Sequence, residues 1–245
     1  MTPMTILYWA WPADGAGHAV RAAAICRHLK SEVIVLRGTD DPKINRALDH
    51  FQIPYITIPS RADAIRFGLA NPADLFVLDD GCGTALDQVA SLYIWRLGRP
   101  DKPFRPMPKI NIEGPGSLWP LLMLDDDEIL SKEEAREDLG WPQGKHLRVG
   151  ITSTCRPGVV EAQDVDYMLE PWPALRWMRA ADHIVGCIGA NLYGEVNYLG
   201  LPATWIKAPH ARDQPVRIYA PNKGAVIHDA ARKVADIIEN TMSRR

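Results

Sequence analysis

The sequence predicts an α/β chain built of two parallel-sheet domains, and three observations carry that reading. Short apolar runs alternate with helix-period segments along most of the chain, the pattern of a parallel sheet with crossover helices. The alternation breaks near the middle, across an acidic stretch that follows Pro115, and then resumes. At 245 residues, with 47% hydrophobic and 24% charged, the chain is long enough for two modest cores and has a globular composition.

Ile6 to Trp11 is an apolar, aromatic run ending at Pro12; Asp14-Gly15-Ala16-Gly17-His18 and a helix-period stretch from Ala19 to Lys30 follow it. This is strand, glycine loop, helix. Glu32–Arg37, Tyr55–Ile58 and Leu75–Leu78 read as further strands, with helices at Pro42–His50 and Arg61–Leu69 between them. A helix over Thr84–Leu97 and a strand at Lys109–Ile112 complete a first domain assigned to residues 1–124. Ser131 and Glu134 form a capping box for a helix that stops at Gly140 and Pro142, placed in a linker over 125–145. The second domain, 146–245, runs through a strand at His146–Thr152, a helix at Pro173–Ala180, a strand at His183–Cys187, a helix at Leu192–Leu199 and a strand at Ala203–Ile206. An amphipathic helix, Ala225–Met242, closes it. Only a short stretch separates the Thr152 strand from Glu170, so the second domain is expected to lack at least one strand-helix unit.

The net charge of −2 gives no bulk basic signal for a polyanion, so any nucleic-acid contact is expected to be local. The four cysteines are scattered, without zinc-type spacing or the density of a secreted disulfide scaffold, and a reducing compartment is the simpler reading. No segment resembles a signal peptide and no apolar run reaches bilayer-spanning length, which together predict a cytoplasmic protein without a transmembrane segment.

The strongest constellation is Gly189-Ala190-Asn191-Leu192-Tyr193-Gly194-Glu195, then Gly200-Leu201-Pro202, then Asp213-Gln214. A glycine turn between strand and helix lets backbone amides approach an anion at the positive end of the helix dipole. Glu195, about one turn in, is placed to accept hydrogen bonds from neighbouring sugar hydroxyls, and Asp213-Gln214 suits a second polyol. Taken singly, these glycines are as well explained by a tight strand-to-helix turn.

In their order and spacing, Gly189, Asn191, Glu195, Gly200, Pro202, Asp213 and Gln214 resemble the donor box of the GT-B glycosyltransferases. The resemblance is closest to relatives of the peptidoglycan N-acetylglucosaminyltransferase and to the plant secondary-product glycosyltransferases. It implies two Rossmann-like domains of GT-B type, the C-terminal one reduced, and a nucleotide-sugar as substrate, with no separate cofactor. It also implies that Gly189, Ala190 and Asn191 hold the donor diphosphate, Glu195 the ribose, and Asp213 and Gln214 the transferred sugar. Cys187 and Leu192 stand where the plant enzymes carry a phosphate-binding His and a Ser or Thr, so the diphosphate contacts are thinner here.

The second constellation is Gly15-Ala16-Gly17-His18, with Arg21 beyond. A His at the mouth of the first strand-to-helix turn lies at the carboxyl edge of the sheet, where ligands bind in open α/β folds. Its near-neutral ordinary pKa suits a general base. The resemblance implies that His18 deprotonates the acceptor hydroxyl and that an Asp just past the fourth strand orients it. Asp79 is the expected partner and Asp80 the alternative, and Gly15 and Gly17 join the donor-binding set. The plainer readings are a helix-start His and acidic loop residues. Gly17-His18-Ala19-Val20-Arg21 is also similar to UDP-sugar hydrolases of nonulosonate biosynthesis, in which such a His activates water.

Two charged runs complete the survey. Trp95 to Lys109 carries five cations against one acid among four prolines; Arg96, Arg99, Lys102 and Arg105 are candidate contacts to an anionic acceptor, if the run is more than a solvated connector. DNA bearing hydroxylated bases, a polyprenyl phosphate lipid and a nucleotide all have that chemistry. Asp125-Asp126-Asp127 has the Asp-x-Asp spacing of a metal-held diphosphate, but an acidic lead-in to the Ser131 helix explains it more cheaply, and no metal is expected. The sequence therefore predicts a metal-independent glycosyltransferase, with a nucleotide-sugar hydrolase or a non-catalytic sugar-nucleotide-binding subunit as the rival readings.

Overall fold

The computed structural model describes residues 5–10, 16–79, 86, 89–95, 107–113, 116–152, 158–161, 163–206 and 226–244. It divides into two compact units, one of residues 1–121 and 222–245, the other of residues 122–221.

The first unit is a six-stranded sheet of β1 (Thr5–Trp9), β2 (Glu32–Arg37), β3 (Tyr55–Thr57), β4 (Leu75–Leu78), β5 (Leu92–Trp95) and β6 (Lys109–Asn111). The order is β3-β2-β1-β4-β5-β6 and every pairing is parallel, with Leu7 beside Ile34 on one side and Phe76 on the other. The helices α1 (Gly17–Cys26), α2 (Pro42–His50) and α3 (Arg61–Ala70) follow the first three strands. Side chains alternate across a pleated strand, so Leu7 and Trp9 face Leu36, Ala64, Phe76 and Leu78 in one core layer, while Tyr8 points to the other face. All four residues of β4 are buried, as a central strand covered on both faces demands. Helix α1 buries eight of its ten residues; Ala22, Ala23 and Ala24 let it sit close to α2 and to the last helix, α6 (Ala230–Ser243).

The final helix was expected to close the second domain, yet it counts with the first unit. Its apolar stripe of Ala231, Val234, Ala235, Ile238 and Met242 is buried, and Glu239 caps the turn after α1. That carboxylate accepts from the Lys30 amide at 2.8 Å, the Ser31 amide at 2.9 Å and the Ser31 hydroxyl at 2.8 Å. Hydrogen bonds to a charged acceptor contribute about 1.5–3 kcal/mol. Glu239→Ala is accordingly expected to destabilise the first unit by about that amount, measured by urea unfolding, with Glu239→Gln losing less.

The second unit is a four-stranded parallel sheet in the order β10-β9-β7-β8, from β7 (Arg148–Ile151), β8 (Tyr167–Met168), β9 (His183–Cys187) and β10 (Ala203–Ile206). Helix α5 (Ala190–Tyr198) joins β9 to β10. The segment expected to be a linker is part of this unit. Ser131 and Glu134 form the predicted capping box of α4 (Lys132–Asp138), and Asp182 then ties that helix to β7. Asp182 accepts from Lys132 at 2.5 Å, Arg136 at 2.6 Å and the Leu147 amide at 2.8 Å. Burial opposes its ionisation, but these donors and the Arg136 charge prevail and draw its carboxyl down to about 2.

Two expected helices are not formed. Leu92–Trp95, inside the helix expected at Thr84–Leu97, is strand β5, because this short apolar run pairs with β4 and β6 and buries Leu92, Tyr93 and Ile94. Pro173–Ala180 is two 3-10 turns, Ala174–Arg176 and Met178–Ala180. The Trp177 indole bonds Asp138 at 2.5 Å, and Arg176 and Arg179 reach the carbonyls of Glu128 and Ile129, so side chains hold each turn separately. No helix among the described residues is long and apolar enough to cross a membrane.

Candidate functional site

In the first sheet the strand order reverses between β1 and β4. In sheets with such an order, ligands bind at the carboxyl ends of the strands beside this switch point. The segment after β1 leads to His18 at the start of α1, and Asp79 directly follows β4, so the switch point brings the two together. The Asp79 amide bonds the Trp9 carbonyl at 2.9 Å, extending the ladder by one residue and aiming the carboxylate inward.

Around Asp79 lies a fully buried polar cluster. His18 is 6% exposed, Arg21 3% and Asp79 2%. Arg21 grips Asp79 with two nitrogens: Nε lies 2.8 Å from Oδ2 and Nη2 lies 2.8 Å from Oδ1. The Tyr8 hydroxyl donates to Oδ2 at 3.1 Å. His18 Nδ1 is 2.8 Å from Arg21 Nη2 but 3.6 Å from Asp79 Oδ1, so the imidazole meets the carboxylate chiefly through the guanidinium. Burial alone would raise the Asp79 carboxyl; the Arg21 charge, then the adjacent His18, overcome it and hold Asp79 well below the usual carboxylate range. Tyr8 moves the other way, pushed far up by burial and by the Asp79 charge. Asp79 is therefore a fixed anion and Tyr8 a fixed neutral donor.

The predicted pair is thus found together, but in a three-membered arrangement that sequence reasoning did not foresee. Arg21 stands in the sequence motif but had no expected role. The signal was there in its spacing, since residues three apart share a helix face and Arg21 stands three after His18. Tyr8 carried no such signal, because a tyrosine in an apolar strand reads as core.

Arg37, at the carboxyl end of β2, is a further buried cation. Its Nε donates to Asn45 Oδ1 at 2.9 Å, while both Nη groups lack a partner among the described residues, and burial lowers the guanidinium to about 10.

In the second sheet the order reverses between β7 and β9, and the segment Gly189 to Glu195 follows β9 at that point. Gly189 is extended (φ −75°, ψ 155°) and caps α5 without a side-chain hydrogen bond; Ala190 and Asn191 form the first helical positions, and Tyr193 is bonded back to Gly189. Cys187 and Leu192, which replace the expected phosphate-binding side chains, are both buried, at 0% and 4% exposure. Cys187 is disulfide-bonded, which the scattered cysteines did not suggest. Leu192 packs over Gly186, where an added Cβ would lie 2.8 Å from Leu192 Cδ2 and 3.1 Å from the Ile151 carbonyl oxygen. Gly186→Ala is therefore expected to destabilise the unit by about 1–3 kcal/mol, read as a lowered Tm.

Glu195 lies one turn into α5, partly exposed, and no described side chain bonds its carboxylate. Burial pushes its pKa up to about 7. A carboxyl raised above its unfolded value costs stability as it ionises. The cost is absent below about pH 4, grows as pH rises, and is complete above about pH 7. Glu195→Gln should then be more stable than the wild type at pH 8 and equal to it at about pH 3.5, measured by thermal unfolding at both.

Of the remaining candidates, Gly17 opens α1, while Gly15, Asp80, Asp213, Gln214, Arg96, Arg99, Lys102 and Arg105 lie outside the described residues. The acidic run at Asp125 has local partners. The Asp125 amide bonds Glu128 at 2.7 Å, and Asp126 pairs with Arg179 at 2.6 Å and accepts from the Tyr198 hydroxyl at 3.1 Å.

No protein-family model matches the sequence, and no curated protein does. Solved structures do resemble it. The kitacinnamycin glycotransferase aligns over 98% of this chain and 100% of its own, with a TM-score of 0.58 and 14% identity. UDP-GlcNAc 2-epimerase from Neisseria meningitidis, bound to UDP-GlcNAc, covers 99% and 100% at 0.52 and 11% identity. HepE from Anabaena, in complex with UDP and glucose, covers 97% and 89% at 0.51 and 13% identity. At these identities the likeness is one of fold. Two units, each a parallel sheet with a switch point at its carboxyl edge, together with these neighbours, identify the chain as a member of the GT-B fold.

Proposed function

We propose that the protein is a glycosyltransferase that moves a sugar from a nucleotide-sugar donor to an acceptor hydroxyl without a metal. The observation that carries this reading is the buried His18–Arg21–Asp79–Tyr8 cluster at the switch point of the first sheet, a costly arrangement that core packing does not require. The donor is assigned to the second unit. Backbone amides at the start of α5 face its diphosphate, Glu195 accepts from its ribose, and Asp213 and Gln214 take the sugar. In the reaction the acceptor oxygen attacks the anomeric carbon, its proton passes to His18 Nε2, and the bond to the diphosphate oxygen breaks with its electron pair. The leaving charge is met by the α5 amides. The acceptor is an anionic molecule of the cytoplasm, DNA with hydroxylated bases among the candidates. The basic run from Arg96 to Arg105 supports that assignment, and so does Arg37, a buried guanidinium at the carboxyl end of β2 whose two Nη nitrogens have no partner among the described residues.

Thermal shift with UDP-, GDP- and dTDP-sugars tests the donor assignment; one of them should raise Tm. If none does and a second protein does, the chain is a binding subunit. Following free sugar from the stabilising donor separates transfer from hydrolysis, because rapid release without acceptor makes water the nucleophile.

A further inference from the structure

We infer that Arg21 is a positioning residue that sets the tautomer of His18, so that in the unliganded protein His18 carries its proton on Nε2 and is not yet a base. The inference concerns how the site proposed above is regulated and rests on that reading only for its meaning in catalysis.

Donors and acceptors are asymmetric at the contact between Arg21 and His18. A guanidinium has only N–H groups and never accepts a hydrogen bond, whereas a neutral imidazole has one donor and one acceptor nitrogen. Arg21 Nη2 stands 2.8 Å from His18 Nδ1. At that distance Nδ1 must be the bare nitrogen, because a proton there would point at another N–H. The proton of the neutral ring then sits on Nε2. Asp79 Oδ1, the acceptor that would hold an Nδ1 proton, is 3.6 Å away, beyond hydrogen-bond distance, and is already bonded by Arg21 Nη2 at 2.8 Å.

The cluster cannot easily drift from this state. Arg21 is held at Nε as well as Nη2, Tyr8 fixes the far oxygen of Asp79, and Asp79 stays ionised. Burial of all three side chains leaves water little room to take over a bond.

The consequence is specific. To take a proton at Nε2, His18 must already carry its other proton on Nδ1, bonded to Asp79. Passing from one arrangement to the other needs Nδ1 to exchange Arg21 Nη2 for Asp79 Oδ1, a closing of less than about 1 Å from 3.6 Å to ordinary hydrogen-bond length. Arg21 thus keeps His18 as a hydrogen-bond donor at rest, and the base form appears when Nη2 releases Nδ1. An anionic group that draws Nη2 away has the right chemistry to cause it, which ties base formation to substrate occupancy.

The test reads the tautomer directly. Two-bond proton–nitrogen correlation NMR on protein labelled with 15N at histidine, at about pH 8 where an ordinary His is neutral, distinguishes bare from protonated ring nitrogens. His18→Gln identifies the His18 signals. The wild type should show His18 with bare Nδ1 and protonated Nε2, and Arg21→Met should reverse the two as Asp79 takes the Nδ1 proton. Arg21→Lys is the second variant in case removal of the charge unfolds the protein, since it keeps a cation beside Asp79 without the fork that reaches both partners. A wild-type His18 protonated at Nδ1, alone or with Nε2, overturns the inference, as does an unchanged tautomer in both Arg21 variants. No substrate enters these measurements, so failure of the glycosyltransferase reading, seen as no donor binding and no turnover, is a separate result.

Discussion

Asp79→Ala is expected to lower the stability of the first unit by about 3–5 kcal/mol, the cost of leaving a buried cation without its counter-ion. Arg21 is only 3% exposed, and Asp79 accepts from both its Nε and Nη2, so its charge has nowhere to go when the carboxylate is removed. The Tyr8 hydroxyl loses its acceptor in the same step. Urea unfolding of the variant measures the loss, and a difference below about 1 kcal/mol would show that the cluster is not the ionic centre described here. The paired replacement Arg21→Met with Asp79→Leu should recover most of the stability, since removing both charges also removes their desolvation cost. The pH dependence has a definite sign. Because the folded Asp79 is held below its unfolded value, its contribution is whole above about pH 4 and is lost as the pH falls further. The gap between the wild type and Asp79→Asn should therefore narrow in acid.

His18→Ala is expected to reduce kcat by about a hundredfold to ten-thousandfold, the usual contribution of a positioned acid-base group. Donor-induced thermal stabilisation should be unchanged, because the side chains assigned to the donor lie in the second unit and His18 in the first. Turnover within threefold of the wild type would mean that another group takes the proton. The comparison with Arg21→Lys is informative here. His18→Ala removes the acid-base group itself, whereas Arg21→Lys leaves the imidazole and changes the cation that faces both Nδ1 and Asp79.

The stretches whose composition admits one structure were legible before any coordinates. Glu32–Arg37, Leu75–Leu78, His183–Cys187 and Ala203–Ile206 form the strands expected, and Pro42–His50 the helix expected, with the same bounds. These are short apolar runs or capped amphipathic segments whose local signals agree with their burial. Leu92–Trp95 went the other way, because a brief apolar run fits a helix or a strand equally and only the free edge of β4 decides between them.

Of the candidate site, His18 and Asp79 were legible by position, as residues just past the first and fourth strands of a parallel sheet. Their order, the strand-helix alternation and the donor-box spacing at Gly189 to Glu195 are properties of the sequence by itself. What the tertiary structure decided is which groups satisfy one another. Arg21 takes the acceptor expected to serve His18, because from its place on α1 its two-nitrogen fork reaches both oxygens of Asp79, while the imidazole of His18 stays 3.6 Å from Oδ1. Glu239 caps a turn 208 residues earlier in the chain and brings the last helix onto the first unit. Local propensity contains neither result. Both arise when chain segments remote in sequence are buried side by side and each polar group must find a partner among the few within reach.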